Sequence, residues 1–167
     1  MLHQKNNMLK FQDHLWFMGL ALEQADQAYR NHEVPVGAVL VSDSGEVISK
    51  QFNVKEANHN PIGHAEILTI AEGGKKIQNW RLTGCTLYVT LEPCPMCLTA
   101  MVQSRILQCV FGAYDPKGGA ISLGYNLHKD KRLNHQFSIM GGVKHYESSR
   151  LLSQFFKERR TAYKPKN

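Results

Sequence analysis

The 167-residue sequence predicts a three-layer α/β/α fold, a mixed five-stranded sheet with helices on both faces. Two patterns predict it. An early β-hairpin reads V-G-A-V-L-V over residues 36–41, a turn at Asp43-Ser44-Gly45, then E-V-I-S-K-Q-F-N. After it, short apolar runs rich in β-branched residues alternate with helix-period segments, as strands joined by crossover helices do. The length and 43% hydrophobic residues suit one domain with one core. Residues 1–167 are therefore read as a single domain, with 1–10 an N-terminal extension and 161–167 a flexible basic tail.

The elements follow in chain order. Leu15, Met18, Leu22, Ala25 and Tyr29 recur at helical spacing, giving an amphipathic helix over 11–30 that ends near Asn31. After the hairpin and a polar loop, His64 opens a second helix, stopped by Gly73-Gly74. C-T-L-Y-V-T-L (85–91), bounded by Gly84 and Pro93, is a third strand, and a helix over 95–104 follows. I-L-Q-C-V-F-G (106–112) is a fourth strand. A loop rich in Gly and Lys covers 115–134, F-S-I-M-G-G-V (137–143) is a fifth strand, and a last helix over 146–160 carries Leu151, Leu152, Phe155 and Phe156. Both chemical motifs described below then fall at helix N-termini directly after loops, where open α/β sheets bind ligands.

Composition excludes some classes. No stretch approaches the roughly 18 apolar residues of a membrane span, and the first residues lack the apolar core of a signal peptide. The expected setting is the cytoplasm, where four cysteines are metal ligands or buried thiols rather than disulfides. The net charge of +6 is concentrated at one end: six Lys/Arg stand against one acid from Arg150 onward. Such a segment fits a polyanionic partner or, equally, a solvated tail.

Cys94 and Cys97 in P-C-P-M-C lie at i and i+3 on one helix face, so two thiolates can hold one ion there. The same spacing serves a zinc ribbon or a redox pair. A redox pair calls for a thioredoxin-like βαβ setting. A ribbon calls for a second C-x-x-C, whereas Cys85 and Cys109 are far apart inside apolar strand runs and read as buried small hydrophobes. His64 is the natural third ligand, and three protein ligands leave a tetrahedral zinc one position for water. Glu66, two residues on, then reaches that water without ligating, with the small Ala65 leaving the approach uncrowded. Singly, His64 also reads as a helix cap and Glu66 as a first-turn acid complementing the helix dipole.

The combination H-x-E…P-C-x-x-C is the signature of zinc-dependent nucleobase deaminases. With E-V-P-V-G-A-V-L-V (33–41), G-H-A-E-I (63–67), N-W-R-L (79–82), T-L-Y-V-T-L-E-P-C-P-M-C (86–97), S-R-I (104–106), V-F-G-A (110–113), L-N-H (133–135) and L-L-S-Q-F-F-K-E-R-R (151–160), the sequence resembles the bacterial tRNA-specific adenosine deaminases. The loop over 115–125 and Leu98-Thr99 depart from that family's small-residue runs. Residues 1–10 have no counterpart, and Met8 is a candidate start.

The resemblance implies a cytidine-deaminase-like fold, a homodimer, and one Zn2+ per subunit held by His64, Cys94 and Cys97. It also implies that Glu66 shuttles protons as the wobble adenosine of a tRNA anticodon becomes inosine. It places Asn53 against the flipped base, with Pro35, Val36 and Ala65 on the substrate side; Asn53 otherwise reads as a strand-end turn residue. The anticodon stem-loop would offer phosphates to Arg159 and Arg160 and unstacked bases to Phe155 and Phe156. Core packing is the competing role for at least one of those two Phe residues. One alternative is a zinc deaminase of free cytidine, guanine or another nucleobase. A second, a zinc-stabilised RNA-binding module, calls for a fourth protein ligand, for which His59 is the candidate.

Overall fold

The structure is a computed structural model and describes residues 10–162. It has the element order α1 (Phe11–Arg30), β1 (Gly37–Val41), β2 (Val47–Phe52), α2 (Ala65–Ile77), β3 (Thr86–Leu91), α3 (Pro95–Ser104), β4 (Gln108–Ala113), a 3-10 turn (Leu127–Lys129), β5 (Ser138–Met140) and α4 (His145–Ala162). The strands form one sheet in the order β2-β1-β3-β4-β5. β1 is antiparallel to both neighbours, while β3, β4 and β5 run parallel. The sheet is mixed because a hairpin supplies the first pair and helical crossovers supply the rest.

Every residue of β1 is buried, as a strand covered on both faces requires. Alternate side chains enter different cores. Ala38, Leu40, Leu87, Val89, Cys109 and Phe111 face the layer of α2 and α3 together with Ala65, Cys97, Leu98 and Met101. Val39, Val41, Tyr88 and Val110 face α1 through Phe17, Met18 and Ala21. α1 comes close enough that a Cβ on Gly37 would strike the backbone at Ala21 and Ala25. On the same face, a Cβ on Gly112 would meet the Ser148 hydroxyl of α4. The far end of α4 is tied to α1, with the Tyr29 hydroxyl donating to Glu158 at 2.6 Å and Arg159 donating to the His32 carbonyl at 2.8 Å.

Several boundaries differ from the sequence expectation. α2 runs through Gly73-Gly74 to Ile77 and is capped by Gln78 in the left-handed region, φ 56°. Gly73 serves packing: a Cβ there would strike Leu40 of β1. The fifth strand shrinks to three residues, and α4 continues to Ala162, so residues 161 and 162 are helical. Lys10 caps α1, its N–H donating to Asp13 at 2.7 Å. The rest of the expected extension, Met8 included, and the rest of the tail lie outside the described residues. No helix among the described residues is long and apolar enough to cross a membrane.

β1 begins where β2, β3 and β4 end, so one edge of the sheet gathers the loops before α2 and α3 and the loop after β4.

Candidate metal centre

Two helices start at this edge, and a sulfur or nitrogen donor sits at the cap of each. His64 precedes α2 in extended conformation (φ −79°, ψ 143°), and Cys94 precedes α3 likewise (φ −71°, ψ 168°), followed by Pro95, whose ring suits the first helical position. Neither side chain caps its own helix. Cys97, one turn into α3, completes the group.

His64 Nδ1 lies 3.7 Å from Cys94 Sγ and 3.5 Å from Cys97 Sγ, and all three donor atoms are within 4.8 Å of one another. Ordinary Zn–S and Zn–N bond lengths at a tetrahedral angle set an S···N edge of about 3.6 Å. One imidazole and two thiols at this spacing fit zinc. His59 stands outside the group, exposed and at φ 47°, so the fourth ligand of a non-catalytic zinc module is missing among the described residues.

The electrostatics ready one of the three donors. Hydrogen bonding from the Cys97 thiol, joined by His64, lowers Cys94 to about 4, making it a thiolate at neutral pH. Cys97 is pushed up because it holds the shared proton, and the hydrogen bond with Cys94 raises His64. Metal binding at Cys97 therefore releases that proton. Cys85 and Cys109 are buried in the strand region, their thiols raised by desolvation, and neither joins the donor group.

Glu66, 4% exposed on the first turn of α2, is not among the three close donors. Burial raises its carboxyl above the ordinary glutamate range. A buried acid beside a metal set, with no ligand duty, is placed to carry protons.

Asn53 has a function at this edge that its sequence position did not disclose. Its Oδ1 accepts the N–H of Ala65 at 2.8 Å, satisfying a donor at the α2 terminus that His64 leaves open, and its own N–H bonds the Val36 carbonyl at 3.1 Å. That fixes the amide orientation and turns Nδ2 away from the helix. Asn53→Asp keeps the acceptor and loses the donor. It is expected to melt near the wild-type temperature, whereas Asn53→Ala should melt lower.

Pro35, Val36 and Ala65 are buried at the same edge. Of the two Phe residues it is Phe155 that packs inward: it is 5% exposed and edge-on to Tyr29 at 6.0 Å, whereas Phe156 is 44% exposed. Arg159 spends part of its capacity internally, on the His32 carbonyl and over the Phe155 ring at 5.2 Å, and Arg160 is exposed.

Two buried acids escaped sequence reasoning. Glu33, 1% exposed, accepts N–H bonds from Glu56 at 3.2 Å and Ala57 at 2.8 Å and so pins the loop between Asn53 and His64. Glu92, 2% exposed, pins the loop after β4. The available signal was an acid placed beside an apolar strand run, in E-V-P-V and L-E-P-C.

Known proteins share this arrangement. The family model for the cytidine and deoxycytidylate deaminase zinc-binding region matches residues 11–113. The tRNA-specific adenosine deaminase of Bacillus subtilis is 48% identical over 149 residues, covering 89% of this chain and 91% of that protein. The Haemophilus influenzae protein of the same name is 47% identical, covering 86% and 83%. A chain solved in biochemical and structural studies of A-to-I editing by tRNA:A34 deaminases superposes with a TM-score of 0.77 at 40% identity, over 82% of this chain and 99% of that one. Fold, donor set and identity over most of the length converge, and the chain belongs to the tRNA-specific adenosine deaminases within the cytidine and deoxycytidylate deaminase family.

Proposed function

We propose that this chain is a zinc-dependent aminohydrolase converting adenosine to inosine at the wobble position of a tRNA anticodon. It works as a single deaminase domain with one zinc per subunit, as a cytoplasmic homodimer. The observation that carries the chemistry is the buried Glu66 carboxyl two residues from His64 and outside the three-donor set. The names and identities of the relatives support tRNA as substrate.

His64, Cys94 and Cys97 would hold the zinc, which as a Lewis acid makes water nucleophilic at neutral pH. Glu66 accepts a proton from the attacking water and delivers it to N1 of adenine as the oxygen adds to C6. The same carboxyl then takes the remaining proton from the added hydroxyl and passes it to the amino group as the C6–N bond breaks, so water and adenine yield hypoxanthine and ammonia. Asn53 Nδ2 is free to donate to the base, and Ala65, fully buried, leaves room beside it.

The test is to incubate the protein with total tRNA and sequence for anticodon adenosines newly read as guanosine. Conversion of free cytidine or guanine with no change in tRNA would overturn the assignment.

The last turns of α4 supply the cations expected to meet RNA phosphates. Arg160→Ala should weaken tRNA binding and flatten the dependence of log affinity on log salt by about 1. Arg159→Ala should also lower the melting temperature, because it frees the helix end from His32. Superimposable salt lines for wild type and Arg160→Ala would remove that residue from the contact.

A further inference from the structure

Glu92 ends the apolar run of β3 one residue before Pro93, and a carboxylate this deeply buried must be fully paired. Its partners among the described residues all come from one loop. Asp115 N–H donates to Oε2 at 3.0 Å, Ser122 N–H to Oε1 at 2.7 Å and the Ser122 hydroxyl to Oε2 at 2.6 Å. The loop is wrapped so closely that a Cβ on Gly119 would land on the carboxylate itself. Beside it, Ala120 N–H donates to the Pro93 carbonyl at 2.8 Å, and Ala120 is fully buried. The loop is thereby fastened on both sides of the peptide that leads into Cys94. Past the fastening, Leu123 and Tyr125 are 47% and 52% exposed. β3 and β4 are parallel and end together, so this loop stands at the carboxyl edge where open sheets bind their ligands.

We propose that Glu92 is a positioning residue for the RNA substrate: it gathers Asp115 and Ser122 so that residues 115–125 form a wall of the crevice beside Cys94, with Tyr125 available for an unstacked base. The inference rests on the tRNA deaminase reading. It separates the rim from the chemistry, since the hydrogen bonds of the Glu92 carboxylate go to Asp115 and Ser122, and interactions made equally in ground and transition states act on KM.

The experiment uses the zinc-loaded enzyme and an anticodon stem-loop RNA. Glu92→Gln keeps the shape but turns an amide N–H2 toward an N–H donor. It should retain one zinc per chain, raise KM roughly tenfold and leave kcat within about threefold. Ser122→Ala should move KM the same way by less. The double variant should equal Glu92→Gln alone, because Ser122 acts through that carboxylate. Trypsin should also cut after Lys117 faster in Glu92→Gln. Zinc loss, a fall in kcat at constant KM, or additive effects would each overturn the proposal. Failure of the wild type on the stem-loop would sink the tRNA reading and the RNA role together. In that case the trypsin arm still reads the fastening, and an unchanged cutting rate would refute that as well.

Discussion

Glu66→Ala keeps its zinc and its fold and loses roughly 10²–10⁴-fold in turnover, the span that a positioned general acid–base contributes. The large effect is expected because one carboxyl serves both proton transfers, and the small structural effect because it is not among the three close donors. Glu66→Gln sharpens the point. Burial raises the native carboxyl, so between the ordinary glutamate pKa and that raised value the native state holds more protons than the unfolded chain. Stability of the metal-free protein then falls as pH rises through that interval. Gln abolishes this fall: the metal-free variant should melt no lower than metal-free wild type at pH 7, and the zinc-loaded variant should be nearly inactive. Metal analysis, thermal melts and single-turnover deamination check these together; zinc loss in either variant would make Glu66 a ligand.

Cys94→Ser and Cys97→Ser are expected to lose metal and activity together, with zinc affinity down roughly a hundredfold or more, beyond the loss typical of outer partners. Cys85→Ser and Cys109→Ser should keep zinc. Each places a hydroxyl in a buried site, costing about 1–3 kcal/mol where it finds no partner. Zinc stoichiometry and melting temperature across the four variants separate the pairs, and equal zinc loss in all four would defeat the three-donor arrangement.

Local chemistry made much of this legible in the sequence. α3 begins and ends where expected, because Pro95 fixes its first turn and the i, i+3 cysteines share a face. The mixed sheet followed from one hairpin and the alternation after it. Gly73-Gly74 misled because a glycine that stops a helix and one that lets a helix approach Leu40 look alike in sequence. The C-terminal aromatics were legible only as a pair: adjacent positions on a helix point about 100° apart, and a contact distant in the chain, with Tyr29, accompanies the burial of Phe155. Glu33 and Glu92 showed in the sequence only as acids beside apolar runs, with nothing to say what they bind. Apart from the Ser122 hydroxyl, their partners are backbone N–H groups 23 to 30 residues away, which leave no residue-type signal.

His64 and Cys94 are separated by 30 residues, and between them the chain runs through α2 and returns as β3 on the side of β1 away from β2. The hairpin and α2 are near neighbours in the chain, while β1–β3 pairing demands a longer loop closure, a slower kind of event. An ion gripping both residues therefore acts as a clasp across the seam between an early-assembling half and a later one. Its binding free energy is then also folding free energy, and the reactive centre exists only in molecules whose seam has closed.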